Sequence, residues 1–217
     1  MKKILLLVEG IADLVFLKDF IEVHFKYKCP ADLKIDGKTK DITAIQDKKS
    51  LKIIILGSKE ALNNKNTAQL ILSDINKENY SHKIIILDAD DDLESTKNQI
   101  KRYTEALELT DNYCFPNNKD TGDLEIILEN IQFDLAIADC WSKFENCIDN
   151  IKSGYTIPAK KSKIHTYLEI LNPNTNQGKE NCKERNRDYK NKTIWKLEDI
   201  QNPYISNLKT FLDQYLT

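Results

Sequence analysis

Glu9, Asp13, Asp88, Asp90 and Asp92 are the residues whose types and spacing point to chemistry. Glu9-Gly10 follows the aliphatic run Ile4 to Val8, with Asp13 four residues on, and Asp88-Ala89-Asp90-Asp91-Asp92 follows the run Ile84 to Leu87. Four acids in five positions repel one another unless something positive sits among them, and hard divalent cations take carboxylate oxygens. Alternate residues of an extended chain face the same way, so Asp88 and Asp90 are expected to converge on one ion. Gly10 permits a tight turn, and a helix opening there puts Glu9 and Asp13 on one side of its first turn. This predicts a Mg²⁺ or Mn²⁺ site. The competing reading is that an Asp at a strand end caps the next helix and the acidic loop is simply solvated.

Such acids are useful only if the fold brings them together. Ile4 to Val8, Ile53 to Leu56 and Ile84 to Leu87 are continuous aliphatic runs without alternation. Strands buried on both faces have this pattern, because helices cover both sides of a parallel sheet. Between them lie residues at helical period: Leu14, Leu17, Ile21 and Phe25 after the first run, then Leu62, Ala68, Leu70, Ile71 and Ile75 after the second. The alternation predicts an α/β fold: an open, mainly parallel sheet with helices on both faces, whose ligands sit beyond the carboxyl ends of the strands. Glu9 and Asp88 leave two of those ends. A helix from Leu93 to about Leu109 and a short strand from Asn112 to Phe115 continue the pattern.

The second half reads as more helical, with segments at Gly122 to Ile131, Ala136 to Ile151, Lys161 to Leu171 and Tyr204 to Tyr215. Cys140, Trp141, Phe144, Cys147 and Ile148 share one face of the second of these, a pattern expected of core. Residues 172–193, rich in Asn, Lys and Glu, read as an exposed or mobile loop. Trp195 and the Tyr204 to Tyr215 stretch are expected to pack. His24, His82 and His165 have no ligand spacing, so structural roles are expected of them rather than zinc binding.

At this point the residues carry a resemblance. Val8-Glu9-Gly10-x-x-Asp13 after a hydrophobic strand, a middle strand ending at Leu56-Gly57, and an aliphatic strand ending in Asp88-x-Asp90 look like the Toprim domain. That domain is shared by topoisomerases, bacterial primases and the overcoming-lysogenization-defect nucleases. The whole chain, including Gly122-Asp-Leu-Glu125, Asp139-Cys-Trp-x-x-Phe144 and His165-Thr-Tyr-Leu168, is similar to a group of small standalone bacterial Toprim-like proteins of unknown function. The resemblance implies a Toprim-like core over residues 1–134 and a mostly helical elaboration, residues 135–217, packed on it. It implies that Glu9 is a general acid or base that also binds metal, and that Asp88 and Asp90 are metal ligands. Asp13 and Glu125 match by position the acids that hold a second metal in the nuclease branch, and Asp92 extends the pattern to Asp-x-Asp-x-Asp. Two ions about 4 Å apart suit phosphodiester hydrolysis, because one activates water while the other stabilises the leaving oxygen. The additional modules of topoisomerases and primases need more length than 217 residues, so the expected activity is that of a metal-dependent nuclease or other phosphodiester hydrolase. The alternative is a non-catalytic, metal-dependent module for nucleic-acid binding or regulation, working with a protein partner in repair or defence.

Charge bears on the partner. The chain has 32 basic and 34 acidic side chains, a net charge of −2, but residues 1–150 hold 20 basic and 27 acidic while residues 151–217 hold 12 and 7. Lys160, Lys161, Lys163 and His165 form a basic patch suited to a phosphate backbone, with nucleic acid as the expected partner. The competing reading is a solvated helix face. Five cysteines without a Cys-x-x-Cys pair argue against a disulfide framework and for a reducing cytoplasm. No apolar run reaches the roughly 20 residues of a membrane span, and the run at Ile4 to Val8 ends at Glu9 without a cleavage site, so it is expected to be a strand. A P-loop is absent, since Gly57-Ser58-Lys59 is only a fragment of one.

Overall fold

A computed structural model of the chain describes residues 2–29, 41–63, 65–76, 78–151 and 154–217. Five strands among them form one sheet: β1 (Lys2–Val8), β2 (Asp41–Gln46), β3 (Lys49–Ile55), β4 (His82–Asp88) and β5 (Asp111–Phe115). Their spatial order is β2-β3-β1-β4-β5. β1 pairs in parallel with both β3 and β4, and β4 pairs in parallel with β5, as the aliphatic runs predict. β2 adds an antiparallel edge through a hairpin with β3. Its sequence, Asp-Ile-Thr-Ala-Ile-Gln, alternates because it is buried on one face only, a pattern distinct from the runs that mark the central strands.

Eight α-helices among the described residues complete the fold: α1 (Ile11–Phe25), α2 (Lys65–Asn76), α3 (Leu93–Leu107), α4 (Leu124–Asn130), α5 (Leu135–Asp149), α6 (Lys160–Leu171), α7 (Asn176–Asn181) and α8 (Pro203–Leu216). Successive residues of β1 point to opposite faces and feed two cores. Ile4, Leu6 and Val8 pack in one with α1, α4, α6 and α8; Leu5 and Leu7 pack in the other with α2 and α3. Trp195 and the apolar side of α8 lie in the first core, as expected of them. The side chains of Leu62, Ala68 and Leu70, expected on a helix face, lie outside the described residues. No helix among the described residues is long and apolar enough to cross a membrane.

Two expectations fail. Residues 172–193 contain α7 and a 3-10 turn at Glu184–Asn186, and they bury Gly178, Cys182, Arg187 and Tyr189. Tyr189 is held there by Asp19, which is fully buried on α1 and accepts its N–H at 2.9 Å, so polar composition conceals anchoring at a few points. Cys140 and Cys147 are exposed, and α5 buries none of its residues.

Candidate functional site

The site lies where β1, β3 and β4 end. The N–H groups of Leu56 and Gly57 donate to the carbonyls of Val8 at 2.8 Å and Glu9 at 2.9 Å, extending the pairing past β3. Gly57 has φ of +98°, a conformation that favours glycine, and it turns the chain away so that Lys59 comes back against the site. Gly10, by contrast, is extended (φ −138°, ψ −176°) and serves as N-cap of α1; the tight turn expected there does not form. Glu9 therefore stands outside the helix, and Asp13 folds back to accept the Gly10 N–H at 2.8 Å.

Four carboxylates influence one another here: Glu9 after β1, Asp13 on α1, Asp88 at the end of β4 and Glu125 on α4. Asp13 and Glu125 are 6% and 3% exposed. Burial pushes Asp13 up to about 7, with Glu9 and Glu125 adding to the rise and the Gly10 hydrogen bond opposing it. Burial likewise pushes Asp88 up to about 8, and the charges of Asp13, Glu125 and Glu9 raise it further. The Leu124 N–H, donated to Asp88 Oδ1 at 3.0 Å, offsets only part of this. Glu9 and Glu125 are also raised, chiefly by burial, and Oε2 of Glu9 is buried without a hydrogen-bond partner.

Positive charge reaches the cluster from two sides. Lys161, near the start of α6, favours the charged forms of Glu9, Asp13 and Glu125. Burial works against its own ammonium, but Glu125, Glu184, Asp13 and Asp88 outweigh this and raise its pKa. Lys59 is buried, donates to Asp90 and lies 3.3 Å from the Thr96 hydroxyl, and its charge also acts on Glu9.

The structure thus sorts the sequence candidates. Glu9, Asp13, Asp88 and Glu125 lie within electrostatic reach of one another. Asp90 is the acid whose charge most raises Glu9, but its φ is +49°, its backbone pairs with Gly122 through two 2.7 Å hydrogen bonds, and its carboxylate is engaged by Lys59. Asp92 caps α3, accepting the Ser95 N–H at 2.9 Å, as the capping reading holds. Lys160 pairs with Asp123 at 3.0 Å, Lys163 with Glu129 at 3.0 Å, and His165 lies 3.5 Å from Glu169. Among the described residues no three His, Cys, Asp or Glu side chains form a group that could hold a metal ion as they stand.

Sequence reasoning missed Lys59 and took Arg187 as an extension of the basic patch rather than as part of the site. Lys59 had a signal, its place two residues after the glycine at a strand exit, whereas nothing in the sequence marks Arg187 as the base of that run that is buried and acts on Glu125.

Fold and site together define a mostly parallel α/β protein with a helical C-terminal region and an acid-lined set of strand ends. The chain belongs to the family described as Protein of unknown function (DUF3226), whose model matches residues 3–217. Among solved structures, the hypothetical protein PH0156 from Pyrococcus horikoshii OT3 is similar with a TM-score of 0.55 at 14% identity, over 99% of this chain and 95% of that one, a likeness of fold. The cytosolic domain of L. pneumophila FeoB aligns over 96% of this chain and 98% of that one at 10% identity, with a TM-score of only 0.25. No curated protein matches the chain.

Proposed function

We propose that this is a Toprim-like, Mg²⁺- or Mn²⁺-dependent protein that acts on nucleic-acid phosphodiesters by nuclease-type phosphoryl transfer. One observation carries the reading: the carboxylates of Glu9 after β1, Asp13 on α1, Asp88 at the end of β4 and Glu125 on α4 act on one another at the strand ends, where burial and their shared charge raise Asp13 and Asp88, and one oxygen of Glu9 is buried without a partner. Carboxylate oxygens are the donors a hard divalent cation takes. Glu9, Asp13, Asp88 and Glu125 would hold it, closing in from their present positions. Once bound, such an ion supplies charge neutralisation at the phosphodiester and a more acidic water.

The chain's own residues do the rest. Glu9, with its raised pKa, is suited to take a proton from the attacking water or give one to the leaving oxygen. Lys161, two-thirds exposed at the edge of the acids, is placed to meet a phosphate oxygen. Lys160 and Lys163 hold α6 against α4 through Asp123 and Glu129 and are less available to a strand.

A second reading, metal-dependent nucleic-acid binding or regulation without turnover, is favoured by the engagement of Asp90 with Lys59 and of Asp92 with the α3 N-terminus. Those contacts leave fewer carboxylates for a second ion. The test is cleavage of single-stranded, duplex and nicked substrates in Mg²⁺ and Mn²⁺. The main reading expects cleavage that Glu9→Gln and Asp88→Asn abolish. Metal-dependent binding without cleavage selects the second reading, and cleavage unchanged in both variants, or neither binding nor cleavage, overturns the proposal.

A further inference from the structure

The amphipathic helix α5 has no buried residue, although helices of this kind draw most of their stability from packing an apolar face. Seven of the nine exposed large apolar side chains among the described residues fall between residues 133 and 170, on α5, its flanks and α6. They are 40% to 66% exposed. Phe133 belongs to a separate cavity with Trp195 and Lys196. An aromatic side chain offers roughly 150–250 Å², and half of the remaining six side chains of about that size comes to roughly 450–750 Å² of apolar surface. That is at or above the roughly 300–600 Å² of the largest patch on a typical monomer, and near the roughly 800 Å² each partner contributes to a stable interface.

The face also has a seat. Between α5 and α6 lies a cavity of about 130 Å³ lined by Cys140, Trp141, Phe144, Tyr167 and Ile170, with Gln132 beside them. Its size suits one aromatic or large aliphatic side chain. Gln132 is 2% exposed and its Nε2 has no partner, so an incoming segment that brings an apolar side chain and a carbonyl would satisfy it.

We infer that the α5–α6 face is the interface of a symmetric dimer, in which the cavity of each chain receives a side chain from the α5 region of a second copy. A two-fold interface requires one surface to carry both partners of each contact, and this surface does. The cavity and the protruding Phe144 and Ile170 lie together.

Light scattering coupled to gel filtration tests this directly. The wild-type chain is expected at twice its 25.1 kDa mass in the high micromolar range. Phe144→Asp and Ile170→Asp, at positions 43% and 59% exposed and so compatible with the folded monomer, are expected to weaken association by about thirtyfold or more. A wild-type monomer, which would leave the face for a different protein or an apolar ligand, overturns the inference, as does a dimer that both variants retain. Alkylation of wild-type Cys140, followed by mass spectrometry, needs no variant. Its rate is expected to fall as protein concentration rises, and a concentration-independent rate contradicts the inference.

Discussion

Replacing Asp88 with asparagine removes one charge from the buried carboxylates and is expected to stabilise the metal-free protein above neutral pH. Burial and the charges of Asp13, Glu125 and Glu9 raise Asp88 from its ordinary 3.8 to about 8. A carboxyl whose pKa is higher in the folded chain favours folding fully below the unfolded value, and that contribution is lost as pH rises through the folded value. Four units at 1.36 kcal/mol each come to about 5 kcal/mol of lost stability above pH 8. Asparagine keeps an acceptor for the Leu124 N–H but weakens that hydrogen bond by about 1 kcal/mol, leaving a net gain of about 4 kcal/mol. For a chain of 217 residues this corresponds to roughly 8–16 °C in Tm. Scanning calorimetry in EDTA from pH 4 to pH 9 reads it. The two proteins are expected to converge near pH 4 and separate progressively toward pH 8, with the variant higher. Excess Mg²⁺ is expected to raise the wild type and leave the variant unchanged. A variant that melts at or below wild type at pH 8 in EDTA refutes the electrostatic account of the site.

Other perturbations probe its surroundings. Lys59→Ala removes the buried ammonium that engages Asp90 and restrains Glu9, and is expected to cost about 1–3 kcal/mol in urea unfolding, the lower part of that range reflecting how exposed Asp90 is. Gly178→Ala puts a methyl group 1.9 Å from the Pro173 carbonyl oxygen, a clash with backbone, so a loss of about 2 kcal/mol or more is expected if residues 172–193 are packed; an unchanged midpoint contradicts that packing. In dilute protein Cys140 and Cys147 are expected to react with a thiol reagent in the native state, whereas Cys114 and Cys182 wait for unfolding, and equal rates for all four would contradict the burial pattern.

The central sheet was legible because β1, β3 and β4 are buried on both faces and write uninterrupted aliphatic runs. β2 was not, since an edge strand with one wet face shows only a brief alternation. Glu9 and Asp88 could be found because strand exits can be read from where those runs stop. The failures at the site were of direction. A left-handed residue at Asp90 and a helix N-cap at Asp92 reorient side chains that simple extended geometry aims together. Amphipathic period misled for α5, because it marks an apolar face without saying whether the same chain covers it. Conversely, residues 172–193 are held by Tyr189, whose N–H meets Asp19 and whose ring meets Phe16, both far away in sequence, and local composition does not record that.

The central claim is that the strand-end carboxylates are the ligands of a divalent cation, and a crystal of the protein soaked in Mn²⁺ tests it most directly. The account predicts an anomalous peak contacting Glu9 and Asp88, with Asp13 or Glu125 drawn in and Asp90 still on Lys59, and no such peak in Asp88→Asn. Well-ordered wild-type crystals without anomalous density among these four acids, or an ion bound only in the exposed Asp90 to Asp92 loop, would contradict it.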